Sequence, residues 1–234
     1  MDSNRKTART AGILFIVATA ASLLGTALTH PSLTGTDSLT RVAEHMPRVA
    51  AGGLCELIAA GTSAGIAIAL YPILQRWNGT LALGAVVFRA MEAVMYTVGT
   101  VSLLSLLTVA PRFTHAAPAD RGWFQALGDA LLALREEAIL AGVFAFALGG
   151  LMYYAVFYRS RLVPRWLAGW GIAAELLMLV ACMLALFSRT PVTSSTILIL
   201  PIAVQEMVLA VWLITRGFRS AALDAGTVAS ASAA

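Results

Sequence analysis

The chain has 234 residues, of which 59% are hydrophobic and 12% charged, and its formal net charge is +4. Soluble domains carry about 25% charged residues. Half that density leaves too little solvated surface for a globular protein of this size, and a mean hydropathy of +0.82 also excludes a disordered or collagen-like chain. In a soluble protein a pI near 9.5 would point to nucleic acid. Here fifteen of the sixteen cations are Arg, and most sit in short loops between apolar runs. That pattern orients helices in a lipid bilayer and gives no reason to expect a nucleic-acid partner.

A helix needs about 20 mostly apolar residues to cross the hydrocarbon core. Six stretches qualify, at residues 11–29, 50–70, 81–109, 138–158, 166–187 and 197–215. The fold expected is an all-α, polytopic bundle of six transmembrane helices. Residues 1–10 form a cytoplasmic N-terminus, 11–219 the transmembrane domain, and 220–234 a small, polar tail expected to be disordered. Arg5, Lys6 and Arg9 before the first span also resemble the opening of a signal peptide, with Gly25-Thr26-Ala27 as a cleavage site. The apolar run of 19 residues is longer than a signal peptide uses, so the span is expected to stay.

With the N-terminus cytoplasmic, the inner loops hold nine basic residues, among them Arg76, Arg159, Arg161 and Arg165. The outer loops hold six, namely Arg41, Arg48, Arg112, Arg121, Arg135 and Arg189. This asymmetry places both termini inside. Tyr71, Trp77, Tyr153, Tyr154, Tyr158, Trp166 and Trp170 read as an aromatic belt at the inner headgroup level. The stretch 120–137 carries Trp123, Phe124, Leu127, Leu131 and Leu134 at helical spacing. It reads either as an amphipathic helix on the outer interface or as an extension of the fourth span.

Glu56, Glu137 and Glu206 each begin a phrase of the form Glu-x-(Ile/Val)-x-Ala, as three duplicated helical hairpins would produce. Gly61-x-x-x-Gly65 and Ala145-x-x-x-Gly149 supply small-residue helix packing. Thr7-Ala8-Arg9-Thr10-Ala11-Gly12-Ile13-Leu14, Phe88-Arg89-Ala90-Met91-Glu92, Arg159-Ser160-Arg161-Leu162-Val163-Pro164-Arg165-Trp166 and Pro201-Ile202-Ala203-Val204-Gln205-Glu206-Met207 are further marked phrases. Together they resemble a bacterial multi-pass membrane family known as a domain of unknown function, over about residues 6–219. The resemblance implies a bacterial cytoplasmic (inner) membrane location and supplies no activity, cofactor or catalytic role.

Charged residues within spans are expensive and usually face a bundle interior. Glu56, Arg89, Glu92, Glu175 and Glu206 all lie in predicted spans, and Tyr96 follows Glu92 by one turn. Arg89 and Glu92, three apart, share a helix face. One Arg cannot balance four carboxylates, so either some are neutral or they line water. The excess points to a small cationic or amphiphilic solute bound or transported in the membrane, with or without proton coupling. Glu92, Glu175 and Glu206 would hold the cation, Arg89 would keep one carboxylate ionised, and Glu56 would sit at the outer mouth.

A second reading is a structural or regulatory protein whose polar residues fix helix packing. A third is an intramembrane enzyme on a lipid-like substrate, with Glu56 or Glu137 beside an outer His. His30, His45 and His115 show no metal-ligand spacing, and no phosphate loop, Gly-x-Ser-x-Gly or Cys-x-x-Cys is present. Nothing calls for a catalytic residue, a metal or a cofactor, and the oligomeric state is open. Cys55 and Cys182 read as small buried hydrophobes, Asn78-Gly79-Thr80 as a turn, and Pro201 as a tolerated membrane proline.

Overall fold

The computed structural model describes residues 3–35, 37–192, 196–220 and 223. Most of the tail expected to be disordered, 220–234, therefore lies outside the described residues. The described residues form seven helices, α1 (Ser3–Leu33), α2 (Ser38–Glu44), α3 (Met46–Leu74), α4 (Gly79–His115), α5 (Arg121–Ser160), α6 (Arg165–Ser188) and α7 (Thr196–Thr215), and no strand. All except α2 are long and apolar enough to cross a membrane. Each long helix packs against the next in the chain, and α1 closes on α7. The result is a six-helix membrane bundle in the form of a ring.

Local chemistry sets the helix ends. The Asn78 side chain accepts from the Leu81 amide at 2.9 Å and caps α4, as the expected turn implies. Arg161 ends α5 with φ 57 in the left-handed region, and Pro164 precedes α6. Between them Leu162 and Val163 are fully buried. The Arg219 amide donates to the Leu162 carbonyl at 3.0 Å, tying this loop to the end of α7. α7 runs unbroken through Pro201, which lies just past its first turn and forgoes a single amide bond there.

α4 and α5 have 37 and 40 residues, about 55 and 60 Å at 1.5 Å per residue. Both outreach a hydrocarbon core of about 30 Å. The amphipathic stretch 120–137 is thus not a separate surface helix but the start of α5. At one end of the bundle α2 packs on α4, and Leu39, Val42, Leu103, Leu106 and Val109 form a second small core there. This is the distal end, opposite the chain termini. At the terminal end, rings of Phe15, Tyr153, Tyr154, Phe157 and Phe218 stack edge-on or tilted with centroids 4.4–6.4 Å apart. Tyr153 and Tyr154 are fully buried, so they belong to the core and not to the belt expected of them. Tyr158 and Trp166 remain exposed.

Small residues set the closest helix approaches, though not all of those the spacing suggested. A methyl group added at Gly61 would meet nothing within 4 Å, and one at Gly65 would meet only Leu14. The tight crossings lie elsewhere. A Cβ on Gly12 would come within 2.8 Å of the Ala210 carbonyl, so α1 touches the α7 backbone near the terminal end. Gly25 and Gly52 face one another across α1 and α3, each with its carbonyl 3.2 Å from the other's Cβ position. Gly149 does pack as expected, against Arg89, Phe88 and the Ala85 carbonyl.

Gly52→Leu should therefore destabilise the bundle by about 1–3 kcal/mol through overpacking, measured as reversible unfolding in mixed micelles. Gly61→Leu, made in the same helix, should leave the midpoint unchanged.

Candidate functional site

The interior of the ring holds a cavity of about 330 Å³ lined by residues from all six long helices. Its chemistry centres on two guanidinium groups. Arg89 of α4 is 1% exposed. It donates from Nη1 to Glu92 Oε2 at 2.9 Å and from Nη2 to Glu206 Oε1 and Tyr153 Oη, both at 3.4 Å. Its guanidinium lies 4.3 Å over the Phe146 ring. Ser63 of α3 donates to the other Glu92 oxygen at 2.7 Å. Helix geometry explains the core of this arrangement, since residues three apart share a face.

The second guanidinium is Arg135, which the charge pattern placed in an outer loop. It lies inside the bundle because α5 is one continuous helix whose residue 135 falls level with Glu56. Arg135 grips Glu56 with both nitrogens, at 2.6 Å and 2.8 Å, the fork-to-fork geometry a carboxylate favours. Thr100 donates to the same carboxylate at 3.0 Å, and Arg135 also donates to the Gly99 carbonyl at 3.3 Å. The count of one Arg against four carboxylates is thereby corrected to two. The missed signal was Glu56 itself, a buried anion in need of a partner.

Of the residues singled out in the sequence, Glu56, Arg89, Glu92, Tyr96 and Glu206 all line the cavity, and Arg135, Ser63 and Thr100 join them. Glu175 does not. It is fully buried on α6 with neither carboxyl oxygen hydrogen-bonded to protein, and it presses against the bare backbone of Gly150. Gln205, which the sequence reading passed over, is also fully buried. It accepts from Tyr154 Oη at 2.5 Å and donates to the Leu167 carbonyl at 3.1 Å, locking α7 to α5 and α6.

The three helices that run from the distal to the terminal end are not equivalent at their repeated Glu. Glu56 and Glu206 face the cavity, whereas Glu137 is exposed and Arg135 takes the interior place on its helix. The histidines stand apart. His45 and His115 are exposed and bond to carbonyls of Arg41 and Pro111 at 3.0 Å and 2.7 Å, and neither lines the cavity.

Fold and site together define a multi-pass membrane protein, a six-helix bundle around a charged interior cavity. Residues 10–217 match the family described as Domain of unknown function (DUF4386), and the chain belongs to that family. No match was found among the curated proteins or among the solved structures.

Two outcomes follow from the geometry. Arg135→Ala should cost about 3 kcal/mol by leaving Glu56 unpaired, and much of this should return in the double variant with Glu56→Gln, measured as a double-mutant cycle of unfolding. Glu175→Met should raise stability by about 1–3 kcal/mol, because it removes a buried polar group that has no partner. A fall in the unfolding midpoint would show that the carboxyl is satisfied.

Proposed function

We propose that the protein binds a small cationic or amphiphilic solute in its central cavity, in the bacterial cytoplasmic membrane with both termini cytoplasmic. The observation that carries this reading is the charge lining one cavity. Three carboxylates, from Glu56, Glu92 and Glu206, face two guanidinium groups, and both guanidiniums are already committed to carboxylates. An anion would meet no free cation there. A cation would meet Glu206, which Arg89 holds only at 3.4 Å and which keeps 8% exposure.

Within this reading Glu206 and Glu92 neutralise the positive charge. Tyr96 lines the same cavity, and an aromatic ring suits ammonium groups. Arg89 fixes the two carboxylates in place, and the Glu56–Arg135 pair forms the distal wall. Glu175 lies outside the cavity and takes no direct part. The cavity volume lies at the small end of ligand sites, about 300–1,000 Å³, which suits a compact head group. The positive-inside balance of the loops supports the orientation.

The bidentate, double-anchored Glu56–Arg135 pair supports a second reading, in which polar contacts serve only to fix helix packing. The two separate under substitution. Binding of tetramethylammonium to protein in nanodiscs should weaken about tenfold or more, ~1.4 kcal/mol, in Glu206→Gln and in Glu92→Gln, while Glu175→Gln should bind as the parent does. Equal binding by all three folded variants would contradict the cation-site reading and favour the packing one.

A further inference from the structure

The cavity opens sideways. α1 touches the α7 backbone at Gly12, near the terminal end, but at Gly25 its close neighbour is Gly52 of α3. Ser22, Leu23 and Thr26 of α1 line the cavity and are at the same time exposed, Leu23 by 68%. Side chains on a membrane-embedded helix that are both exposed and cavity-lining mark a doorway between the cavity and the surrounding lipid. The opposite jamb is α7, where Ile199 and Ala203 line the same space, about one turn and more from Glu206 along the helix.

The two ends of the cavity are built differently. At the terminal end the stacked rings of Phe15, Tyr153 and Phe157 lie beneath Arg89, and Leu162 and Val163 are buried in the loop below. Toward the distal end the path meets the bidentate Glu56–Arg135 pair, further tied by Thr100. The doorway itself carries no charge. Its two hydroxyls and its aliphatic side chains suit a hydrocarbon chain, while the carboxylates sit recessed behind it.

We infer that the occupant enters laterally from the distal leaflet between α1 and α7, and that it is a single-chain cationic amphiphile whose head group reaches Glu206 while its tail remains in lipid. A bare inorganic cation would have to cross hydrocarbon to use this opening, so the doorway selects molecules with an apolar part. This inference rests on the cation-site reading above and adds to it both the route and the tail.

The test compares dodecyltrimethylammonium with tetramethylammonium, which share a head group and differ only in the chain. Both are measured on the full-length protein in nanodiscs, with empty discs as the blank. The parent should bind the dodecyl compound more tightly. Leu23→Trp, which replaces an exposed side chain and disturbs no packing, should weaken the dodecyl compound by about tenfold or more and leave tetramethylammonium unchanged. Leu184→Trp, on the exposed face of α6, should alter neither. If Leu23→Trp leaves both ligands unaffected, or weakens both equally, the tail does not lie between α1 and α7 and the proposal is overturned. If the parent binds tetramethylammonium and gains nothing from the chain, the amphiphile is overturned while the cation site stands. If the parent binds neither, the cation-site reading itself fails.

Discussion

A guanidinium buried inside a bundle of membrane helices is among the most demanding groups a membrane protein can hold, and Arg89 is that group here. Its removal from water is offset only if several acceptors converge on it from different helices. Glu92 comes from its own helix, Glu206 from α7 and Tyr153 from α5, while Ser63 of α3 holds Glu92 in turn. Four helices are thereby obliged to meet around one side chain. Because lipid provides no hydrophobic drive for helices to associate with each other, this convergence and the glycine crossings carry much of the specification of the ring.

The rest of the interior follows from that obligation. Side chains that gather around a charge cannot also fill the space with hydrocarbon, so a cavity with charged groups set in a largely apolar wall remains where the six helices come together. The Glu56–Arg135 pair repeats the device toward the distal end with nearly ideal geometry. Below Arg89 the need is reversed, and aromatic rings shut the terminal end. The bundle is thus packed with rings at one end and bridged by an ion pair at the other, and between them exposed residues of α1 line the cavity.

Much of this was legible from the residues, for identifiable reasons. Composition and span length are bulk properties, so the membrane class and the six helices were readable without any tertiary knowledge. Arg89, Glu92 and Glu206 stood out because each is costly in a span wherever it faces. Arg135 was hidden because it sits among Asp129, Glu136 and Glu137, where charge looks affordable. Only the continuity of α5 carries it to the level of Glu56. Tyr153 and Tyr154 were misread because a tyrosine near a span end satisfies its hydroxyl equally well at a headgroup or at a buried partner, here Arg89 and Gln205. The small-residue pattern Gly61-x-x-x-Gly65 named a competent surface, but spacing along one helix does not say which neighbour arrives. Gly25 and Gly52 are paired by the crossing angle of two helices, which no single stretch encodes.

The central claim is that water and cations reach a carboxylate-lined space inside the helix ring. It is tested most directly by the reactivity of Ala59→Cys, a cavity-lining position one turn from both Glu56 and Ser63, in a background with Cys55 and Cys182 replaced. A cationic methanethiosulfonate reagent should modify this thiol, and an anionic reagent of similar size should react much more slowly. No modification by either reagent, or faster modification by the anionic one, would contradict the account.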